Sequence, residues 1–462
     1  MSSNILDIIN SGRPAVEIIA ALKNKTITVR PWFGRGGLRD EYDPSRHPIM
    51  DKARFPDVVS AGNVERVTRI TYDLQRLATK RASELVCGIP VKRVYSAVTD
   101  KQKEVATYLE AVFTRSRINA VNVERVNMLF AGCEVMTLWH ATLEPNTAYG
   151  FSSPIKLRCQ NFTPMRGDAI YPLFDEFGDM VALSVGYTRP VGDVEVDFFD
   201  AYTAARHIKW SNAGGEWRAV EDEENALGKI PAVYVYRPTP IWEDTSRIVN
   251  EMEEAMSRNG NYLRKNSKPV FAVFADEQIN YGDENDGDAR SILQYPKGSS
   301  AQYITWPQAV DNLKFYVGEL RQSFFTLLQL PDWSYESMKS VPMSGESRKQ
   351  LFIDAQLKVK DESGRLMEFF DREVNVVKAF IKKCLPSDYA KEVDALEVET
   401  VITPFTLTDE MDRINNLMTA NGGLPLMSQR ESIARFAGRA NVDKTLQEIK
   451  EQQTAELFAP AE

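Results

Sequence analysis

The sequence predicts an α+β protein, mostly helical, with its strands gathered in the middle third. Three observations lead there. Apolar residues recur at steps of three and four over long stretches on both sides of the middle. Between Gly132 and about Val235, short alternating runs are cut by Gly, Asn and Asp turns. From Ile230 to Gly345, two long amphipathic helices flank an acidic, turn-rich insert, and a third, longer helix follows. Helix, insert, helix, loop, helix in that order builds a wall rather than a pocket, which points to an assembly subunit rather than a catalyst.

Residues 1–55 read as an irregular opening segment, with turn chemistry at Ser11-Gly12-Arg13-Pro14 and Phe33–Gly37 and three prolines among charges between Glu41 and Pro56. From Val58 to Val86 the spacing of Val67, Ile70, Leu74, Leu77, Ala78 and Leu85 predicts a helix, stopped by Cys87-Gly88-Ile89-Pro90. Further helices are expected over about Lys101–Thr114 and Ala120–Leu129. Gly132 to His140 then alternates like a strand, and a meandering antiparallel region continues through Val181–Arg189, Glu195–Phe199 and His207–Trp210. The acidic run Glu221–Glu224 reads as a solvated loop.

The first long helix is expected from about Asp244 to Lys268, with Ile248, Met252, Ala255 or Met256, Asn259 and Leu263 on one face. The second runs from about Ala309 to Leu330, with Leu313, Val317, Leu320, Phe324 and Leu327. Such narrow seams are used against another long helix. The third helix is expected from Glu346 to Cys384, with Leu351, Ala355, Val359, Leu366, Phe370, Val374, Val377 and Ile381 on its apolar row. Gly364 inside it is either a bend or a tolerated interior glycine costing about 1 kcal/mol. A strand over Val398–Phe405 and a helical tail from Thr408 to about Gln453 complete the chain.

At 462 residues and 43% hydrophobic content the chain has room for two or three cores. No apolar run approaches the roughly 18 residues that span a bilayer, and Met1–Asp7 shows no secretory pattern, so the expectation is a non-membrane protein that works where it is made. Cys87, Cys133, Cys159 and Cys384 lie far apart with no CxxC pair, and read as reduced, buried small hydrophobes; His47, His140 and His207 are equally scattered, so no zinc spacing arises. The net charge of −9 argues against a tight, nonspecific grip on phosphate backbones. It is compatible with a protein that surrounds DNA and lets it slide.

No motif makes a positive case for chemistry. Gly34-Arg35-Gly36-Gly37 lacks the spacing and the Lys-Ser or Lys-Thr of a nucleotide loop. Asp283–Asp288 resembles a calcium loop until its Gly falls at the fifth position and its twelfth residue is Gln294. Neither GxSxG nor HExxH occurs. Charge is more informative. Thr245–Lys268 carries five cations against three carboxylates, with Arg258, Arg264 and Lys265 toward its end, whereas Pro269–Val310 carries two cations against six carboxylates, among them Asp283, Glu284, Asp286 and Asp288. A helix-dipole complement followed by a solvated loop explains much of this. A channel wall with an acidic docking tip explains it as well.

Several anchors in order then resemble the portal proteins of tailed double-stranded-DNA bacteriophages, of the siphophage-type subgroup. They are Ser83–Val91, the Gly132–Met136 strand, Leu227–Val235, the helix Ser246–Asn259, Met343–Arg348, and Ile402–Asp412 leading to Leu426–Glu431. The resemblance covers roughly residues 55–453. It implies a portal fold: a wing over 56–243, with helices and antiparallel β; stem helices at 244–268 and 309–330; a clip at 269–308; and a tunnel loop at 331–345. A long wing or tunnel helix at 346–385 and a crown with C-terminal tail at 386–462 follow, while residues 1–55 match no part of the pattern. Twelve helices of ~10 Å diameter side by side enclose a circumference of ~120 Å and a bore on the order of 30 Å, enough for a duplex.

The resemblance further implies a homo-oligomeric ring, twelve subunits at one capsid vertex, serving as the channel for DNA packaging and ejection. Expected partners are double-stranded DNA, the terminase large subunit, a head–tail adaptor, and the major capsid and scaffolding proteins, with no membrane, cofactor or metal. The protein is expected in the virion after assembly in the host bacterial cytoplasm. Tyr335, Ser337, Lys339, Ser340, Met343 and Arg348 are the expected channel residues of the tunnel loop; Arg258, Arg264 and Lys265 belong to the stem; Asp283, Glu284, Asp286 and Asp288 to clip docking. Another head-completion connector, or a nucleotide-dependent enzyme, is the competing reading.

Overall fold

The structure is a computed structural model that describes residues 7–9, 11–60, 63–266, 270–274, 300–304, 310–332, 352–404, 418–419, 428–436 and 442–457. The chain divides into two compact units, one of Met1–Asp332 with Asp354–Phe405, the other of Trp333–Ile353 with Thr406–Glu462. In chain order the first unit runs through α1 (Ala15–Leu22), α2 (Leu38–Tyr42), β1 (Val58–Ser60), β2 (Asn63–Glu65), α3 (Leu74–Cys87), β3 (Lys92–Ser96), α4 (Asp100–Arg115) and α5 (Ile118–Gly132). Then come β4 (Glu134–Thr142), β5 (Lys156–Phe162), β6 (Ala169–Phe174), β7 (Met180–Val191), β8 (Val194–Thr203), β9 (Arg206–Ser211), β10 (Arg218–Glu224) and β11 (Ala232–Tyr236). It continues with α6 (Ser246–Asn266), β12 (Val270–Phe274), β13 (Ser300–Ile304), α7 (Val310–Leu327), α8 (Ile353–Cys384), α9 (Ala390–Ala395) and β14 (Glu397–Val401). The second unit holds α10 (Gln429–Phe436) and α11 (Val442–Leu457), which pack on each other. Ser428 and Glu431 start α10 with a reciprocal box: the Glu431 N–H donates to Ser428 Oγ, and the Ser428 N–H to Glu431 Oε2.

The β-rich middle third is an antiparallel meander, as the alternation predicts. Its five-stranded sheet has the order β10-β9-β8-β7-β6, and a second sheet has the order β11-β4-β5. Period-2 alternation gives the large sheet two apolar faces. On one, Phe199, Ala201, Ile208 and Trp210 pack against Ile18, Ile19 and Leu22 of α1. On the other, Leu183, Val185 and Tyr202 meet Met136, Phe162 and Tyr234 of the smaller sheet. Residues 1–55 are therefore less irregular than their turn chemistry suggests, because α1 covers one face of the meander.

Two local expectations are corrected. Glu221–Glu224 is not a loop; it lies in the edge strand β10, every residue of it exposed, paired in register with β9. Arg206 and Lys209 of β9 bind Asp222 and Glu221 and draw the acidic run into the ladder, and charge on a free edge discourages further strand pairing. The helix expected from Val58 begins only at Leu74. Val58–Ser60 and Asn63–Glu65 form a hairpin, and residues 66–73 form no helix, since the N–H groups of Thr68, Ile70 and Tyr72 bond to side chains of α6 instead of to carbonyls of their own segment.

Helices α4 to α7 follow their sequence signals with boundaries shifted by a few residues, whereas residues 346–351 of the expected third long helix and residues 408–417, 420–427 and 437–441 of the expected helical tail lie outside the described residues. Thr99 and Gln102 build a capping box at the start of α4. The long helix α8 is continuous through Gly364, around which a side chain would find open space. Ala355, Val359, Leu366, Phe370, Val374, Val377 and Ile381 are buried as its apolar row predicts, while Leu351 lies outside the described residues. After it, β14 pairs antiparallel with β3, so the chain returns to a strand laid down some three hundred residues earlier. Cys87 and Cys133 are buried and Cys159 and Cys384 half-buried, and all four are free thiols.

Candidate functional site

The long helices α6 and α7 pack on each other, with Tyr316 Oη donating to Glu251 Oε1 at 3.0 Å. The side of α6 buried within the subunit is offset by about one position from the one its apolar spacing suggests, with Met252 common to both. Val249, Met252, Glu253 and Ser257 are buried, whereas Leu263 is 41% exposed. On α7, Phe324, Phe325 and Leu328 are buried at the C-terminal end, but Leu327 is 56% and Phe315 70% exposed. The predicted seams are therefore shared: part is covered within the subunit, and part remains at its surface.

Polar residues enter the covered face of α6 because that face receives a strand. The N–H groups of Thr68, Ile70 and Tyr72 donate to Asn261 Oδ1 (2.6 Å), Ser257 Oγ (2.9 Å) and Glu253 Oε1 (2.7 Å). Alternate residues of a strand repeat at about 6.6 Å and every fourth residue of a helix at about 6 Å, so the two rows stay in step for three bonds. The interior Gly260 permits this approach, since a Cβ there would lie 2.8 Å from Thr68 Cγ2. The segment is thus zipped along α6 by side chains rather than by a sheet.

The beginning of α6 is held by the N-terminal segment. Glu41 accepts from Trp242 Nε1 (3.0 Å), Ser246 Oγ (2.8 Å) and Arg30 Nη2 (2.8 Å), placing a carboxylate at the positive end of the helix. His47 Nδ1 lies 2.7 Å from Glu253 Oε1, and its Nε2 lies 2.8 Å from the Glu41 carbonyl oxygen, both side chains fully buried. Burial alone would lower the His47 pKa, but the hydrogen bond and charge of Glu253 outweigh it and hold it above the usual value. Tyr42 bridges Trp32 and Trp242 by ring contacts of 5.4 Å each.

The far end of α7 is clamped by Asp332, which accepts from Arg321 Nε (2.9 Å) and lies 3.5 Å from Arg81 Nη1 of α3, while both guanidiniums flank Phe325. Two acids fix α8, Glu373 fully buried and Glu362 half-buried. Glu373 receives both Nη groups of Arg125 at 2.6 Å and Trp139 Nε1 at 2.9 Å, with Arg125 lying over Phe369 and Phe370. Eleven positions earlier on the same side, Glu362 pairs with Arg237 at 2.9 Å. Sequence reasoning missed these anchors, although Glu373 interrupts the apolar row of α8 visibly.

Of the predicted site residues, Arg258 is exposed and pairs with Glu254 on its own helix, and Arg264 donates to Asn261 at 3.1 Å. Lys265 lies on the α6 backbone near its end. Asp283, Glu284, Asp286 and Asp288 of the expected clip, and Tyr335, Ser337, Lys339, Ser340, Met343 and Arg348 of the expected tunnel loop, lie outside the described residues. The roots of both segments are described: β12 and β13 pair from Val270↔Ile304 to Phe274↔Ser300, and the Asp332 clamp precedes the loop. Among the described residues, no cluster could hold a metal ion, and no helix is long and apolar enough to cross a membrane. Gly34–Gly37 is a turn, with positive φ at Gly34 and Gly36, and leads into the short helix α2, which opens with Leu38-Arg39 where a phosphate loop has Lys-Ser or Lys-Thr.

No curated protein sequence matches the chain. Among solved structures, a chain from the virion of a native gene transfer agent particle is similar, at 11% identity and a TM-score of 0.39, over 91% of this chain and 98% of that one. A chain from the neck of the native particle, computed with C12 symmetry, gives 10% identity and a TM-score of 0.41 over 90% and 97%. A chain from the neck of the empty particle, computed with C6 symmetry, gives 10% and 0.40 over 85% and 94%. The family model described as "Phage portal protein, SPP1 Gp6-like" matches residues 38–457, nearly the whole length, a span that contains α6, α7, the zipped segment and α8. The chain belongs to this phage portal protein family, and its role is that of a structural portal or connector rather than an enzyme.

Proposed function

We propose that the chain is the repeating subunit of a closed ring, twelve subunits at one capsid vertex of the virion, through which double-stranded DNA enters during packaging and leaves during ejection. The observation that carries this reading is the family match over residues 38–457. The apolar residues that a lone stem pair leaves at its surface, Leu263, Phe315 and Leu327, support it. Head-to-tail contacts that close give rings, and repeating a two-helix unit around an axis covers such residues with neighbouring copies.

In this reading residues 244–268 and 309–330 form the stem, with Arg258, Arg264 and Lys265 along the bore. Residues 331–345, with Tyr335, Ser337, Lys339, Ser340 and Met343, and then Arg348, meet the duplex. The net charge of −9 suits a passage that admits DNA without gripping it. Assembly takes place in the host bacterial cytoplasm, with capsid and scaffolding proteins around the wing at 56–243. The terminase large subunit, and later the head–tail adaptor, dock at the acidic clip.

Reversing Asp283, Glu284, Asp286 and Asp288 together to Lys tests the docking half of the proposal. Rings are expected to assemble as in the wild type, while particles carrying the variant hold little DNA, because a rim of opposite charge repels the partner surface. Normal DNA content and normal tail joining in such particles would contradict it.

A further inference from the structure

A cavity of about 690 Å3 opens between β3 and the start of α5, outside the stem, clip and loop. Its floor holds Arg93, 9% exposed, with the guanidinium carbon 3.8 Å from the Phe113 ring centroid. The Nε and one Nη of Arg93 are fully buried and have no hydrogen-bond partner among the described residues. Burial pulls its pKa below the usual arginine value, although Glu373, Tyr95 and Glu110 lie near enough to oppose that. A buried charge short of acceptors is costly, and an anion placed beside it relieves that cost.

The other walls state what that acceptor is. Lys92 and Arg117 line the same cavity, and its one lining carboxylate, Glu110, already accepts from Tyr95 Oη at 2.9 Å. Ile118, Asn119 and Ala120, the first turn of the 15-residue α5, face it too. Arg117 precedes that turn in a left-handed conformation at φ 52°; no side chain caps the turn and no acidic residue lies in it. An uncapped helix start presents N–H donors and a partial positive charge, the usual complement of an anion. Helix end and guanidinium are independent features, and they meet in one cavity.

We propose that this cavity is an oxyanion site, in which a carboxylate or phosphate group is drawn by the Arg93 guanidinium and received by the N–H groups at the start of α5. Stacking on Phe113 holds that guanidinium in place at the cavity wall. Two sources share this chemistry: a free inorganic anion, or an acidic side chain of a neighbouring copy of the chain. The site itself does not depend on the ring; only the second source does.

Full-length protein, as dissociated subunits and as the assembled form, is titrated calorimetrically with inorganic phosphate against chloride at matched ionic strength. Wild type is compared with Arg93→Met, which keeps an apolar contact on Phe113, and with Arg93→Lys, which keeps the charge without the guanidinium. Saturable phosphate binding by wild-type subunits is expected, at least tenfold weaker in Arg93→Met and intermediate in Arg93→Lys. Binding retained in the assembled form identifies a free anion; binding confined to dissociated subunits identifies a neighbour's carboxylate. Circular dichroism and melting establish that the variants fold, and Arg93→Met is expected to be at least as stable as wild type in phosphate-free buffer. No saturable binding in either form, or equal phosphate affinity for wild type and Arg93→Met, would overturn the proposal.

Discussion

Asp200 lies on the face of the meander that meets the smaller sheet, accepting from Tyr187 Oη at 3.0 Å and Tyr202 Oη at 3.3 Å. Burial is the main cause that pushes its carboxyl up to about 6, ahead of the two hydroxyls and Lys209, which pull it down. A folded-state pKa raised above the unfolded 3.8 means that the native state holds the proton more tightly. The stability this contributes is complete below pH 3.8 and is lost as pH rises toward 6, on the order of 3 kcal/mol. Asp200→Asn keeps an acceptor for the tyrosines and removes the charge. It is expected to raise stability at pH 7 by about 1–3 kcal/mol and to flatten the decline between those two values, measured by urea unfolding across pH. The Arg125–Glu373 pair behaves oppositely. Arg125→Met or Glu373→Leu alone strands a buried charge and is expected to cost about 3–5 kcal/mol, while the double variant recovers most of that loss. Equal losses in the single and double variants would show that the pair itself, rather than the stranded charge, sets the cost.

At the scale of elements, what could be read from the sequence depended on how far away each partner lies. Helices α4, α5 and α8 and the strands of the meander announce themselves through local periodicity, which is set by their own residues. The stretch from Val58 to Asp73 mimics a helix, because Val67, Ile70 and Leu74 happen to fall at steps of three and four. Its backbone instead bonds to Asn261, Ser257 and Glu253, 181 to 193 positions away, and no local pattern encodes such partners. The same distance hid the work of residues 1–55, whose Glu41 and His47 make contacts with meaning only once α6 is in place. The seam of α6 was misread by about one position, because Glu253 and Ser257 look like solvent residues until the strand they receive is known. The zipper can be tested directly. Ser257→Ala leaves the Ile70 N–H without its acceptor, and Gly260→Ala drives a methyl into Thr68; each is expected to cost about 1–3 kcal/mol. Hydrogen exchange at Ile70 and Tyr72 is expected to accelerate in both variants. Unchanged exchange there would mean that the strand is held by something other than the helix.

For the molecule as a whole, fold class and family were legible from the ordered anchors between Ser83 and Glu431, and the family match over residues 38–457 agrees with them. The proposed channel and docking positions were named only by segment. The clip acids and tunnel-loop residues rest on composition and order along the chain, since a bore or a docking rim belongs to the assembly and no single sequence carries its geometry. The central claim is that stem pairs from neighbouring copies close a ring around an open passage. Electron microscopy of the purified protein, with native mass measurement of the same sample, tests it most directly. The account predicts closed rings, twelve subunits, with a central bore on the order of 30 Å. A protein that stays monomeric at high concentration, or open filaments in place of rings, would contradict it.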